Sequence, residues 1–129
     1  MATKLPVIAE KYVQKAVIDL LTAEKVFFMR LNTGVMKTEK RFVRFNKPGT
    51  PDILAAPIMR CRYDPNEYNL NREITVCGPV FLWLEIKKSK GGIQSKEQKE
   101  FQGQVEACGH NYLLISDVDQ LRDWLKNNR

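Results

Sequence analysis

Val80-Phe81-Leu82-Trp83-Leu84 is apolar at every position and runs straight into Glu85-Ile86-Lys87. So short and uniform a run reads as a strand covered on both faces, which obliges the chain to provide layers that cover it. Side chains alternate along a strand, so Glu85 and Lys87 point the same way. A glutamate in register with a covered strand is costly to bury unless something compensates it. Lys87 or a divalent metal can do so; placement at the strand's exposed end would remove the need.

The remaining elements are arranged around that strand. Residues 7 to 24 read as an amphipathic helix with Val13, Val17, Ile18, Leu20 and Leu21 on one stripe. Val26 to Leu31 reads as a first strand, ended by the turn signal Asn32-Thr33-Gly34. Lys37 to Lys47 is basic, with Phe42, Val43 and Phe45 interleaved, and reads as a short ribbon or an ordered loop. A second core strand is expected from Asp52 to Met59, and a third from Val80 to Lys88, closed by Gly91-Gly92. Residues 61–79, with Pro65, Asn66, Asn69, Asn71, Gly78 and Pro79, read mainly as a surface insertion in which Ile74-Thr75-Val76 can add a strand. Ser95-Lys96-Glu97-Gln98 has the form of a capping box and starts a helix that Gly109 ends. Tyr112 to Ile115 is a last strand. A final helix, capped by Ser116 or Asp117, packs through Val118, Leu121 and Leu125. The expectation is an α/β protein with one mixed sheet flanked by helices.

At 129 residues the chain reads as one domain, 1–129, large enough to bury a core without staples. No apolar run approaches the ~20 residues of a membrane span. Glu10, Lys11 and Lys15 interrupt any secretory apolar region, and Cys61, Cys77 and Cys108 are odd in number and form no CxxC pair. A cytoplasmic location with reduced thiols is expected. The net charge of +6 favours a polyanionic partner.

Chemistry concentrates in a few residues. In Gly49-Thr50-Pro51-Asp52 the glycine permits a tight approach and the proline sets the turn, so the carboxylate enters its strand at a defined angle. Alone, Pro-Asp also reads as a turn before a buried strand. Glu10 is expected near the centre of the Val13, Val17 and Leu21 stripe, with Gln14 beside it; the helix dipole offers a simpler reason for an acid there. Gln98 can bond back to Ser95 or, sharing a face with Phe101, look toward the sheet. His110 reads as a surface or C-cap residue rather than a catalytic base. Lys37, Lys40, Arg41, Arg44 and Lys47, with Lys88 after the Glu-Ile-Lys element, can line a phosphate track. No P-loop, GxGxxG or nucleophile triad is present. Two carboxylates and an ammonium at the ends of core strands suit a hard divalent cation and a water beside a phosphate.

Taken together these residues resemble the VRR-NUC branch of the PD-(D/E)xK nuclease superfamily, over about Ile8 to Asp119. The marks are Glu10 with Gln14, Arg30-Leu31-Asn32-Thr33-Gly34, Phe45-Asn46-Lys47-Pro48-Gly49-Thr50-Pro51-Asp52, Glu85-Ile86-Lys87, and Gln98 with Phe101 before Gly109. The insertion at 61–79 departs from a compact member. The resemblance implies a restriction-endonuclease-like αβββαβ core of the stand-alone bacterial or phage type, acting in the bacterial or phage-infected cytoplasm. It implies Mg²⁺- or Mn²⁺-dependent cleavage of DNA, with branched substrates such as Holliday junctions or flaps favoured and a homodimer as the simplest assembly. Asp52, Glu85 and the Ile86 carbonyl would bind metal, and Lys87 would orient or help deprotonate the attacking water. Gln98 would help place metal, water or phosphate, and Glu10 would complete the acidic pocket directly or through a water. A non-catalytic nucleic-acid-binding module and an RNA endonuclease on the same core are the competing readings.

Overall fold

A computed structural model of the chain describes residues 6–31, 35–37, 42–44, 47–63 and 74–128, with backbone alone for 35–37, 42–44, 60–63 and 74–77. The elements run α1 (Glu10–Ala23), β1 (Phe27–Arg30), β2 (Val35–Lys37), β3 (Phe42–Arg44), β4 (Ile53–Ala56), β5 (Ile58–Tyr63), β6 (Ile74–Pro79), β7 (Leu82–Ile86), α2 (Lys96–Ala107), β8 (Asn111–Ile115) and α3 (Val118–Asn128).

Four of the strands form a mixed sheet in the order β1-β4-β7-β8. β4 is antiparallel to both β1 and β7, while β8 lies parallel to β7. A parallel neighbour demands a crossover, and α2 supplies it. Leu82, Leu84 and Ile86, all fully buried, join Ile53, Ala55 and Ile115 in one core. Val13, Val17 and Leu21 of α1 and Leu121 and Leu125 of α3 close over that face. The alternate residues of β7 look the other way, where Trp83 meets Phe101 of α2 edge to face at 5.0 Å. Helices thus cover both faces of the central strand, as its apolar run requires.

Several expected boundaries change. α1 begins at Glu10 rather than residue 7, with Ala9 as an N-cap that offers no side-chain bond. The expected 52–59 strand divides at Pro57, which is fully buried and has no N–H to give a ladder. β4 stays in the main sheet; β5 leaves it and pairs with β6 as a separate antiparallel ribbon. The 61–79 stretch therefore contains one arm of a hairpin as well as residues 64–73, which lie outside the described residues. The 80–88 strand contracts to Leu82–Ile86, leaving Phe81 exposed. The basic stretch contains a ribbon, β2 against β3, and the turn at residues 32–34 falls outside the described residues. Asp117 caps α3 by accepting from the Asp119 N–H at 2.8 Å.

Candidate active site

The site forms where the turn before β4 crosses the end of β7. Gly49, at φ +83°, lies so close to the first turn of α2 that a Cβ there would stand 2.2 Å from the Glu97 carbonyl oxygen. Only glycine tolerates both the conformation and the approach. The turn closes through Thr50, whose N–H and hydroxyl both donate to the Lys47 carbonyl. Buried Pro51 then delivers Asp52 to β7. The Asp52 N–H donates to the Leu84 carbonyl at 3.1 Å, and its Oδ2 accepts from the Ile86 N–H at 2.7 Å. Asp52 is therefore tied to both residues that flank Glu85.

Glu85 itself is 3% exposed. Its Oε1 accepts from Gln98 Nε2 at 2.7 Å and lies 3.6 Å from Lys87 Nζ. Its Oε2 is buried and receives no hydrogen bond from any described group. The Asp52 and Glu85 carboxyl groups touch, so two acceptors face each other with a single proton or a cation as the natural mediator. Burial is the main reason that the Glu85 carboxyl is pushed up to about 8; the Asp52 charge adds to it and Lys87 opposes it. Burial raises Asp52 too, against the Ile86 N–H and Lys87, which favour its charged form. Both shifts favour a proton shared by the pair.

Gln98 fills both roles that the sequence allowed. The capping box is complete: Ser95 Oγ accepts from the Gln98 N–H at 3.1 Å, and Gln98 Oε1 accepts from the Ser95 N–H at 2.8 Å. The same Oε1 accepts from Lys87 Nζ at 3.0 Å while the amide nitrogen holds Glu85. One side chain links the start of α2 to Glu85 of β7 and to Lys87 just beyond that strand.

Glu10 does not face the core as expected; it is exposed. The preceding segment pairs with the stretch beyond β7: the Ser89 N–H donates to the Ile8 carbonyl at 3.0 Å, and the Ile8 N–H donates to the Ser89 side-chain Oγ at 2.7 Å. Glu10 still acts on Glu85 as a like charge that raises its pKa. Among the described residues no three His, Cys, Asp or Glu side chains gather closely enough to hold an ion by themselves. The close acidic group is a pair, Asp52 and Glu85, rather than a triad with Glu10.

The pair suits a hard divalent cation. Mg²⁺ is commonly held by one or two carboxylates with waters and phosphate oxygens making up its shell. The buried, undonated Glu85 Oε2 beside a second carboxylate is that kind of donor set. For Ile86, the visible contribution is its N–H anchoring Asp52.

Of the expected phosphate-contacting cations, Lys47 and Lys88 are exposed, and Lys47 Nζ donates to Gln104 Oε1 of α2 at 2.6 Å. Lys37 and Arg44 are described by backbone alone, and Lys40 and Arg41 lie outside the described residues. His110, half-buried, serves the end of α2 as a cap residue: its N–H donates to the Val105 carbonyl at 2.9 Å, and its Nδ1 accepts from Trp83 Nε1 at 3.0 Å. One neighbour went unseen in the sequence. Buried Tyr112, whose hydroxyl accepts from Gln94 at 3.0 Å, is pushed up to about 12, first by burial, with Glu85 and Asp52 adding negative charge. Its alternation with Leu113 on β8 was the available signal.

No family model matches this chain, and comparisons with curated proteins and with solved structures likewise give no match.

Proposed function

We propose that the protein is a Mg²⁺- or Mn²⁺-dependent DNA endonuclease that hydrolyses phosphodiester bonds in branched DNA, such as Holliday junctions or flaps, on a restriction-endonuclease-like core of the VRR-NUC kind. The observation that carries the reading is the pair of buried Glu85 and half-buried Asp52 at a strand end, with one Glu85 oxygen lacking a donor among the described residues and an ammonium on the same rim. When bound, the divalent ion supplies positive charge for the phosphate and lowers the pKa of a coordinated water.

The chain's own residues account for the rest. Asp52 and Glu85 would hold the ion, and the Ile86 N–H anchors the Asp52 carboxylate. Lys87 would orient the attacking water as an ammonium or, once neutral, help take its proton; its Nζ donates to Gln98 Oε1, which fixes its place. Gln98 Nε2 holds Glu85 Oε1, and Oε2 accepts no hydrogen bond from the described residues. Glu10 acts through the solvent layer of the site, as an exposed charge. Lys37, Lys40, Arg41, Arg44, Lys47 and Lys88 supply the track for the phosphate backbone. Paired cuts in two strands call for a symmetric homodimer. Light scattering at working concentration checks this, and a monomer mass counts against it.

The deciding experiment incubates purified protein with labelled four-way junctions and flaps in Mg²⁺, in Mn²⁺ and in EDTA, beside Asp52→Asn and Lys87→Ala. Cutting that needs metal and disappears in both variants supports the assignment. Cutting retained by either variant removes it, and binding without cutting in both metals identifies a non-catalytic module. Structured RNA in parallel reactions distinguishes a ribonuclease.

A further inference from the structure

A second group of cations stands apart from the acidic pair. Lys11, Gln14, Lys15 and Ile18, on the outer side of α1, and Arg30, at the end of β1, line a cleft of about 220 Å³. Gln14 and Arg30 are joined across it. With its amide oxygen toward Arg30, Gln14 accepts from Nε at 3.2 Å and from Nη2 at 3.1 Å. That pairing sets the plane of the guanidinium and uses two of its five N–H groups, leaving the others to meet a further acceptor. Lys15 Nζ is drawn to Asp19 at 2.9 Å, and Lys11 Nζ lies over the Tyr12 ring at 5.0 Å. Three cations and one amide around a concave space, against one carboxylate, make a place for an anion with several oxygens.

Its location relates it to the acidic pair. Arg30 pairs in register with Ile53, the residue after Asp52, and Leu31 donates its N–H to the Asp52 carbonyl at 2.7 Å. The cleft thus opens at the same end of the sheet as Asp52 and Glu85. We propose that this cleft binds a backbone phosphate of duplex DNA flanking the phosphate to be cut, with Arg30, braced by Gln14, as its principal contact and Lys11 and Lys15 beside it. The proposal rests on the nuclease reading and names the surface that the substrate crosses: the α1 side of the sheet end, in addition to the basic stretch before β4.

The test measures binding rather than cutting. Fluorescence anisotropy of a labelled junction, in Ca²⁺ and over a series of salt concentrations, is recorded for the wild type, Arg30→Ala, Gln14→Leu and Lys96→Ala. Lys96 is exposed on α2 and serves as a control of equal charge change. Each phosphate contact contributes about 0.9 to the slope of log affinity against log salt. Arg30→Ala is expected to lower the slope by about that amount and the affinity several-fold. Gln14→Leu shifts affinity in the same direction by less, and Lys96→Ala leaves both unchanged. Circular dichroism melts establish that the variants are folded. An Arg30→Ala slope equal to wild type, or a Lys96→Ala effect as large, overturns the cleft while leaving the nuclease reading intact. Wild-type binding with the expected slopes but no cutting in Mg²⁺ or Mn²⁺ overturns the nuclease reading and leaves the phosphate site standing.

Discussion

Among the described residues Glu85 is under the plainest physical constraint: a carboxyl on a strand with apolar neighbours, beside a second carboxyl, with one oxygen that no described group donates to. Its folded-state pKa of about 8 exceeds the ordinary 4.5, so the native state holds a proton that the unfolded chain has released. The stability from that proton is fully present below about 4.5 and is lost as pH rises through about 8. Thermal melts in EDTA should show Tm falling across that window, with Asp52→Asn flattening the fall because it removes the neighbouring charge. A Tm that rises over the same range contradicts the burial of this carboxyl. Lys87→Ala is expected to cost on the order of 10²–10⁴ in the rate of cutting, the usual scale for a proton-transfer group. Single-turnover rates on a labelled junction measure this, and a loss under tenfold makes Lys87 a bystander. The sequence held part of this arrangement openly. Period-2 alternation put Glu85 and Lys87 on one face, and the Ser95-to-Gln98 spacing announced the capping box. The double use of Gln98 was a choice between two readings until the fold set α2 beside β7.

Among elements, the turn from Lys47 to Asp52 and the start of α2 behave as one unit. Gly49 meets the Glu97 and Gln98 backbone, and Gln98 meets Glu85 and Lys87. Gly49→Ala combines a left-handed backbone with a steric overlap. The conformation alone costs about 1–3 kcal/mol, and the overlap adds to it by pushing α2 away. The variant should melt lower than wild type and cut more slowly than its loss of folded protein explains, as judged by rates normalised to the folded fraction. An unchanged Tm would mean that the turn and helix are not in contact. The break at Pro57 belongs to this scale as well. Ala56-Pro57-Ile58 sits inside a run whose apolar character reads as one strand, and only the missing proline N–H marks where the ladder must stop. Composition identified an insertion at 61–79 but could not show that β5 borrows Ile58 to Met59 from the core run to pair with β6.

For the molecule as a whole, the four-stranded sheet lies between α1 and α3 on one side and α2 on the other, and the acidic pair sits at the sheet end near the start of α2. Apo protein pays a standing electrostatic penalty at that junction. An ion bound only by the folded form should therefore stabilise everything that depends on it. At a hundredfold excess over its Kd the stabilisation is about 2.7 kcal/mol, several degrees of Tm for a domain of this size. Thermal shift with Mn²⁺ at pH 8 should show this increase in the wild type and lose it in Asp52→Asn. The increase should shrink at pH 5, where protons compete for the same oxygens. An equal shift in wild type and variant would place the ion elsewhere.

By itself the sequence determined whatever a local period can express. The all-apolar run before Glu85 required cover on both faces, alternation grouped Glu85 with Lys87, and the stripe on α1 ran through Val13, Val17 and Leu21. Tertiary structure decided which of those pieces adjoin. Asp52 reaches Glu85 because β4 neighbours β7 and its first residue bonds to Leu84 and Ile86. Glu10, on the exposed first turn of α1, meets Glu85 only as a like charge. Arg30 finds Gln14 because α1 lies along β1. Periodicity states the direction in which a side chain leaves its own element; it contains nothing about where another element stops. A site made from four elements needs both.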